Sequence, residues 1–342
     1  MIKLWKHGIS LFTLLAFLPL SGHGDSVNPW LRGQKRPFPF LIAAHRGASG
    51  YAPENTLPAF EKGFRMGAQL FELDVHLTKD GVPIVVHDDN LIRCSDVKTK
   101  FPNRAPFWVS DFTLEEIRQL DAGSWYVTEM NKPAQDRMLY LRSMTDGEKK
   151  QYIAAEDWQL YQSGQVKHPT LEEALLLAKR LDCFVNVEIK QMPRFYPDIT
   201  AKVVKTIEAT GMVAKVIISS FDHYQLVLSK QLNPNIATAI LCVERIYDPG
   251  TYCTQLVKAD AYHPGCYGNA DAMGFLSVAY LQRGQLSLEA VDSALKAGLC
   301  VNAWTEDDPS HMVKLIQGGV TGIFSNFPNR ITMVLNQLGA VK

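Results

Sequence analysis

Cysteine is scarce: six in 342 residues, at spacings that match no zinc motif. That excludes a disulfide-built scaffold and a structural zinc site. Charge of one sign is also lacking, with 35 basic and 35 acidic residues and a net charge of zero. An extended nucleic-acid footprint or a polybasic membrane patch is therefore excluded, and any phosphate recognition must be local. Beyond residues 9–20 there is no long apolar run, so no stable membrane span is expected in the remainder. No glycine-rich dinucleotide fingerprint follows the first strand-like run. No histidine pair has metal-ligand spacing.

The apolar run at the start is preceded by Lys3 and Lys6 and followed by Gly22 and Gly24, small residues that suit signal peptidase. No cysteine follows it where a lipoprotein signal would need one. This predicts a cleaved signal over 1–24, a linker over 25–40, and an exported protein, periplasmic or secreted. An uncleaved anchor is the alternative. Export permits disulfides. Cys183 and Cys300 open apolar runs and read as packed thiols, whereas Cys253 and Cys266 lie in looser sequence and are the expected pair.

Short β-type runs alternate with amphipathic segments. The runs are FLIAAH, LFELDVHL, PIVVHD, CFVNVEIK, KVIISSF, IATAILC, ADAYH, CVNAWT and VTGIFSN. Helical patterns such as TLPAFEKGFRMGA and SLEAVDSALKAG close on glycine, as a helix C-cap does. Strand and helix in series imply parallel strands joined by crossovers. One gap is different: ELDVHLTKDGVPIVVHD leaves only a tight Asp80-Gly81 turn, which fits a hairpin. Counted as one position, the hairpin leaves eight strands and predicts a (β/α)8 TIM barrel. An open doubly wound sheet ranks lower. Residues 91–168 are polar, rich in Trp and Tyr, and read as an insertion after the second-strand hairpin.

In such a barrel the chemistry stands at the C-terminal ends of the strands. His45 and Arg46 finish the first run, and glycines follow to turn the chain. Glu72 and Asp74, at i and i+2, share one face of the second strand. Two such carboxylates repel unless a cation or protons lie between them. A two-residue turn at Asp80-Gly81 would place Asp74 opposite His87. In NVEIK, Glu188 and Lys190 share a face, with Asn186 on the same side. Alone, Glu188 and Lys190 would read equally well as an internal salt bridge. Beside Glu72 and Asp74, three carboxylates without thiol or imidazole partners suit a hard divalent cation, Ca²⁺ or Mg²⁺. Two histidines can act as general acid and base, while Arg46 and Lys190 suit phosphate. The constellation fits phosphodiester cleavage better than glycoside hydrolysis, which needs two carboxyls without the cations.

At these residues the sequence closely resembles the glycerophosphodiester phosphodiesterase family. HRGASGYAPENTLPAF, FELDVHLTKDG and PIVVHD carry the pattern, and RCSDV, FTLEEIRQLDAGSWY, PTLEEAL, NVEIK, SSF and NAWT extend it. The resemblance implies that His45 and His87 are the acid–base pair. It implies that Glu72, Asp74 and Glu188 hold one divalent cation, with Arg46 and Lys190 on the phosphate. It implies that Glu54 lies close to the metal or the first histidine, that Asn55 holds the loop and that Trp304 packs on the glycerol, all three being counted with the substrate residues. The implied reaction releases sn-glycerol 3-phosphate and an alcohol such as choline or ethanolamine. The attacking group would be the neighbouring glycerol hydroxyl, giving a cyclic phosphate that water opens. The implied partner is a small-molecule phosphodiester; oligomeric state is left open. One departure from the resemblance is Ser325-Asn326, where the family usually has an acid after a threonine. A lysophospholipase D-type enzyme on the same barrel is the runner-up. A non-catalytic binding protein would need a missing central residue, and none is missing.

Overall fold

The computed structural model describes residues 27–191, 194–244, 246–266 and 287–339. The expected signal at 1–24 lies outside them. The described residues form nine strands, one at each expected run: β1 Leu41–Ala44, β2 Leu70–Leu77, β3 Pro83–Val85, β4 Phe184–Ile189, β5 Val216–Ser220, β6 Ala237–Cys242, β7 Ala261–Pro264, β8 Cys300–Ala303 and β9 Gly322–Ser325. Parallel pairing runs β1-β2-β4-β5-β6-β7-β8-β9 and returns to β1, closing an eight-stranded barrel. Only β3 pairs antiparallel, against β2. It takes the edge that β1 leaves: β1 covers Leu70 and Phe71, and β3 covers Val75 to Leu77.

Alternation sorts the strand residues into two environments. Leu73, Val75, Val185, Val187 and Ile218 face the helices in the largest apolar cluster. Leu41, Leu70, Ala237, Ala261 and Phe324 fill the lower barrel with Trp30. Above them the interior turns polar, with Asn186 donating to Ser219 Oγ at 2.8 Å and Asn302 beside His263 at 3.0 Å. Charge comes last, at the mouth. His263 is fully buried in this polar layer, in keeping with a packed rather than a catalytic role.

Three local expectations are corrected. The hairpin register is one residue off. Thr78 rather than Lys79 closes the turn: Thr78 N–H donates to Val82 O at 3.0 Å, and Thr78 Oγ1 accepts from Val82 N at 2.9 Å. The loop is thus Lys79-Asp80-Gly81, with Gly81 at φ +77°, the three-residue turn that ends in a left-handed residue. Asp74 therefore opposes Val86, whose N–H it accepts at 3.0 Å, and not His87. Second, the stretch expected as a linker plugs the barrel floor. Trp30 is buried against Phe38 and Phe184, and Asn28 donates to the carbonyls of Val213 and Val216. Third, Cys253 and Cys266 are free, as are the other four cysteines, and all six are buried. Burial pushes the Cys253 thiol up to about 12, so it behaves as a small apolar group.

Between β3 and the helix Leu171–Leu181 the chain forms only short helices. Their aromatics make a satellite core: Tyr126 and Tyr161 are fully buried, and Trp125 and Trp158 pack on the same cluster. That cluster includes Ala48, Tyr51 and Ala52 of the loop after β1. Tyr126 Oη donates to Gly50 O at 2.6 Å, so the insertion pins that loop from outside.

Candidate active site

The loop after β1 makes a reverse turn that only particular residues allow. Arg46 adopts φ +53° and Gly47 φ +79°. A Cβ at Gly47 would lie 2.5 Å from the Ala59 backbone, which requires glycine there. The turn aims the Arg46 N–H at Glu72 Oε2, 2.8 Å away. Arg46 Nη1 donates to Glu54 at 2.9 Å, and its Nε lies 3.5 Å from Asp74 Oδ2. Asn55, also left-handed at φ +56°, donates to Asp74 Oδ2 at 2.7 Å.

Parallel register places Asp74 of β2 beside Glu188 of β4. Glu72, Asp74 and Glu188 each offer an oxygen within 4.8 Å of the others. Lys190 bridges two of them, 2.6 Å from Glu188 Oε1 and 3.1 Å from Asp74 Oδ1. Glu72 Oε1 is buried and has no hydrogen-bond partner. Burial, with Asp74 and Glu188 alongside, holds the Glu72 carboxyl well above the usual range. Burial raises Glu188 as well. Against its own burial, Asp74 is held below the range by Lys190, His87 and Arg46. An orphaned oxygen and uncompensated negative charge among hard donors fit a divalent metal ion.

His45 and His87 both line a cavity of about 1280 Å³ over this triad, together with Arg46, Glu188, Lys190 and Trp304. His45 Nδ1 lies 2.8 Å from Asn326 Oδ1, and its Nε2 is 3.9 Å from Glu72. His87 Nδ1 lies 2.7 Å from Asp88 Oδ1. Burial and the nearby Arg46 push His45 down to about 3; burial, Arg46 and Lys190 push His87 down to about 4. Both imidazoles are therefore neutral in the resting site at pH 7. The Trp304 ring meets Phe221 edge-on at 5.3 Å, and its indole N–H donates to His263 O at 2.7 Å.

Seven of the ten residues singled out from the sequence thus line one mouth or form its acidic floor around a single cavity: His45, Arg46, Glu72, Asp74, His87, Glu188 and Lys190. Trp304 joins them at the rim. Glu54 and Asn55 do not line the cavity; they stand behind it and hold Arg46 and Asp74. Sequence reasoning missed Arg93. Its guanidinium donates to Glu54 at 2.7 and 2.8 Å and to Asp88 at 2.8 Å through two nitrogens. One side chain thereby fixes the carboxylate behind Arg46 and the carboxylate behind His87. Against burial, Arg93 and Arg46 hold Glu54 far below the usual range. The signal was present as the arginine of LIRCSDV, but nothing in spacing ties it to Glu54. Lysine cannot grip two carboxylates in this forked manner. Arg93→Lys is therefore expected to lower kcat about 10–100-fold, the cost of slightly misplaced groups. Steady-state kinetics on a folded variant checks this; an unchanged kcat would contradict the clamp.

The fold and the mouth define the class first: a (β/α)8 enzyme with its polar groups at the C-terminal ends of the strands. A sequence model of the glycerophosphoryl diester phosphodiesterase family matches residues 45–330. A glycerophosphodiester phosphodiesterase from Caldanaerobacter subterraneus subsp. tengcongensis is 31% identical over 299 residues, 87% of this chain and 99% of the relative. Among solved structures, an Oleispira antarctica phosphodiesterase in complex with the product sn-glycerol-3-phosphate superposes with a TM-score of 0.63 at 24% identity, over 86% of this chain and 96% of that one. A glycerophosphodiester phosphodiesterase from Agrobacterium tumefaciens gives 0.59 at 21% identity, over 86% and 99%. The chain belongs to the glycerophosphoryl diester phosphodiesterase family.

Proposed function

We propose that this protein hydrolyses small glycerophosphodiesters to sn-glycerol 3-phosphate and an alcohol such as choline or ethanolamine. The observation that carries the reading is the mouth itself: two imidazoles on one cavity, above three carboxylates, with Arg46 and Lys190 between. The Oleispira relative's bound product is consistent with it.

Glu72, Asp74 and Glu188 would hold one divalent cation, Ca²⁺ or Mg²⁺. When bound it supplies charge neutralisation and polarisation of a phosphoryl oxygen. Arg46 and Lys190 bind the remaining phosphate charge, and Trp304 offers an apolar face to the glycerol carbons. One imidazole takes the proton of the glycerol hydroxyl next to the phosphoester. That oxygen attacks phosphorus and the alcohol leaves, taking a proton from the other imidazole. The cyclic phosphate is then opened by water with the two roles exchanged. Holding hydroxyl and phosphorus together makes the attack internal, which lowers its entropic cost. An anionic diester raises the proton affinity of the imidazole it touches, offsetting the burial that keeps both neutral beforehand. Export of the mature protein is part of the proposal and rests on the basic-then-apolar start of the sequence.

The cavity of about 1280 Å³ also gives room for a lyso-lipid, which favours the runner-up reading. The two are separated by kcat/KM on glycerophosphocholine and on lysophosphatidylcholine. We expect the small diester to be preferred by about tenfold or more. Preference for the lipid would replace the small-diester reading.

A further inference from the structure

Asn326 directly follows the last residue of β9. An acid meets it from another strand's loop. Asp307, on the loop after β8, accepts from Ser325 Oγ at 2.8 Å and from Asn326 N–H at 2.8 Å with Oδ1. Its Oδ2 accepts from Asn326 Nδ2 at 2.6 Å. Asn326 is buried, and its Oδ1 accepts from Ser49 Oγ at 2.7 Å and faces His45 Nδ1 at 2.8 Å.

We propose that Asn326 and Asp307 form a two-residue positioning relay for His45, in which the carboxylate fixes the amide and the amide fixes the imidazole. This rests on the reading of His45 as an acid–base group. The logic is one of donors and acceptors. Burial raises the Asp307 carboxyl, while the bonds it accepts from Ser325 Oγ, the Asn326 N–H and Asn326 Nδ2 favour its ionised form, which only accepts, so the Asn326 nitrogen faces Asp307. The amide oxygen then faces His45, and an oxygen only accepts, so the proton of the neutral ring sits on Nδ1. Nε2 is left with its lone pair toward the mouth, where Glu72 lies 3.9 Å away. The acid stands one group removed from the imidazole, and the amide transmits its orienting effect.

The bland alternative is that these bonds only tie the loop after β8 to the end of β9. A swap of the two side chains distinguishes the readings. In Asp307→Asn, with the new amide oxygen kept on the Asn326 backbone N–H, two side-chain amide nitrogens would face each other. The Asn326 amide then turns and presents its NH₂ to Nδ1, forcing the proton to Nε2. In Asn326→Asp two carboxylates would meet across the former 2.6 Å contact. The double variant Asp307→Asn/Asn326→Asp restores every bond with donor and acceptor exchanged between the two positions.

The experiment measures kcat and KM on glycerophosphocholine for wild type, both single variants, the double variant and His45→Ala, with thermal melts of each. We expect each single variant to lose about 10²-fold or more in kcat, since a wrong tautomer disables an acid–base histidine. KM should change less than about threefold, and the double variant should recover most of the loss. A double variant no better than the worse single, or single variants with wild-type kcat, would overturn the relay. If wild type itself fails to turn over the diester, the parent reading fails separately. The relay is then decided by ¹⁵N NMR of the His45 ring, assigned by its loss in His45→Gln. Nδ1–H in wild type and Nε2–H in Asp307→Asn are expected; Nε2–H in wild type would overturn it.

Discussion

His87→Ala and His45→Ala are each expected to lower kcat on glycerophosphocholine by about 10³-fold, with KM changed little. General acid–base catalysis contributes roughly 10²–10⁴ in such sites. Arg46 and Lys190, the groups proposed to bind phosphate, are held by Glu54, Asp74 and Glu188 and not by either imidazole. Binding should therefore survive the loss of a ring that transfers protons. The double variant is expected to be little worse than either single one, because one proton must leave as another arrives and the pair acts as a unit. Multiplicative losses near 10⁶-fold would instead mean that the two rings act in independent steps. A loss confined to KM would place them in binding rather than in proton transfer.

The second large effect concerns the acidic triad. Chelation is expected to abolish turnover, and Ca²⁺ or Mg²⁺ to restore it. Binding should also be visible without catalysis. An ion that binds only the folded chain raises its melting temperature, by about 2.7 kcal/mol of added stability at a hundredfold excess over Kd. Glu72→Gln should remove both the turnover and the melting shift. It should also leave the metal-free protein at least as stable as wild type. The reason is that Glu72 stands buried among like charges, with one oxygen unpartnered, and is already held well above the usual carboxyl range. An amide there keeps an acceptor for the Arg46 N–H and can donate toward the neighbouring acids. A metal-free Glu72→Gln protein that melts well below wild type would show that the carboxylate serves the fold rather than an ion.

Much of the barrel could be read from the chain because apolar runs bounded by polar turns have few other uses. Each expected run became a strand, and counting the hairpin as one position gave the closed eight-stranded barrel. The triad was readable for a similar reason. Period-two alternation places Glu72 with Asp74 and Glu188 with Lys190 whatever the tertiary details, and parallel pairing then brings Asp74 beside Glu188. What failed depended on side chains choosing among near-equal options. Thr78 uses its hydroxyl to take the Val82 N–H, which shifts the hairpin by one residue. Trp30 gains more by plugging the barrel floor than by remaining in a solvated linker. Arg93, Asn326 and Asp307 reach the site from far along the chain, 39 residues from Glu54 to Arg93 and 281 from His45 to Asn326. No periodicity encodes such distances. Asn326 in particular read as a gap in the pattern, because the acid that orients it lies on a different strand's loop.

The most direct test of the central claim is ³¹P NMR of glycerophosphocholine incubated with the mature protein, with and without EDTA. Conversion to sn-glycerol 3-phosphate that stops with EDTA and returns with Ca²⁺ or Mg²⁺ is the predicted result. An unchanged diester signal with either ion, from a folded protein, would contradict it.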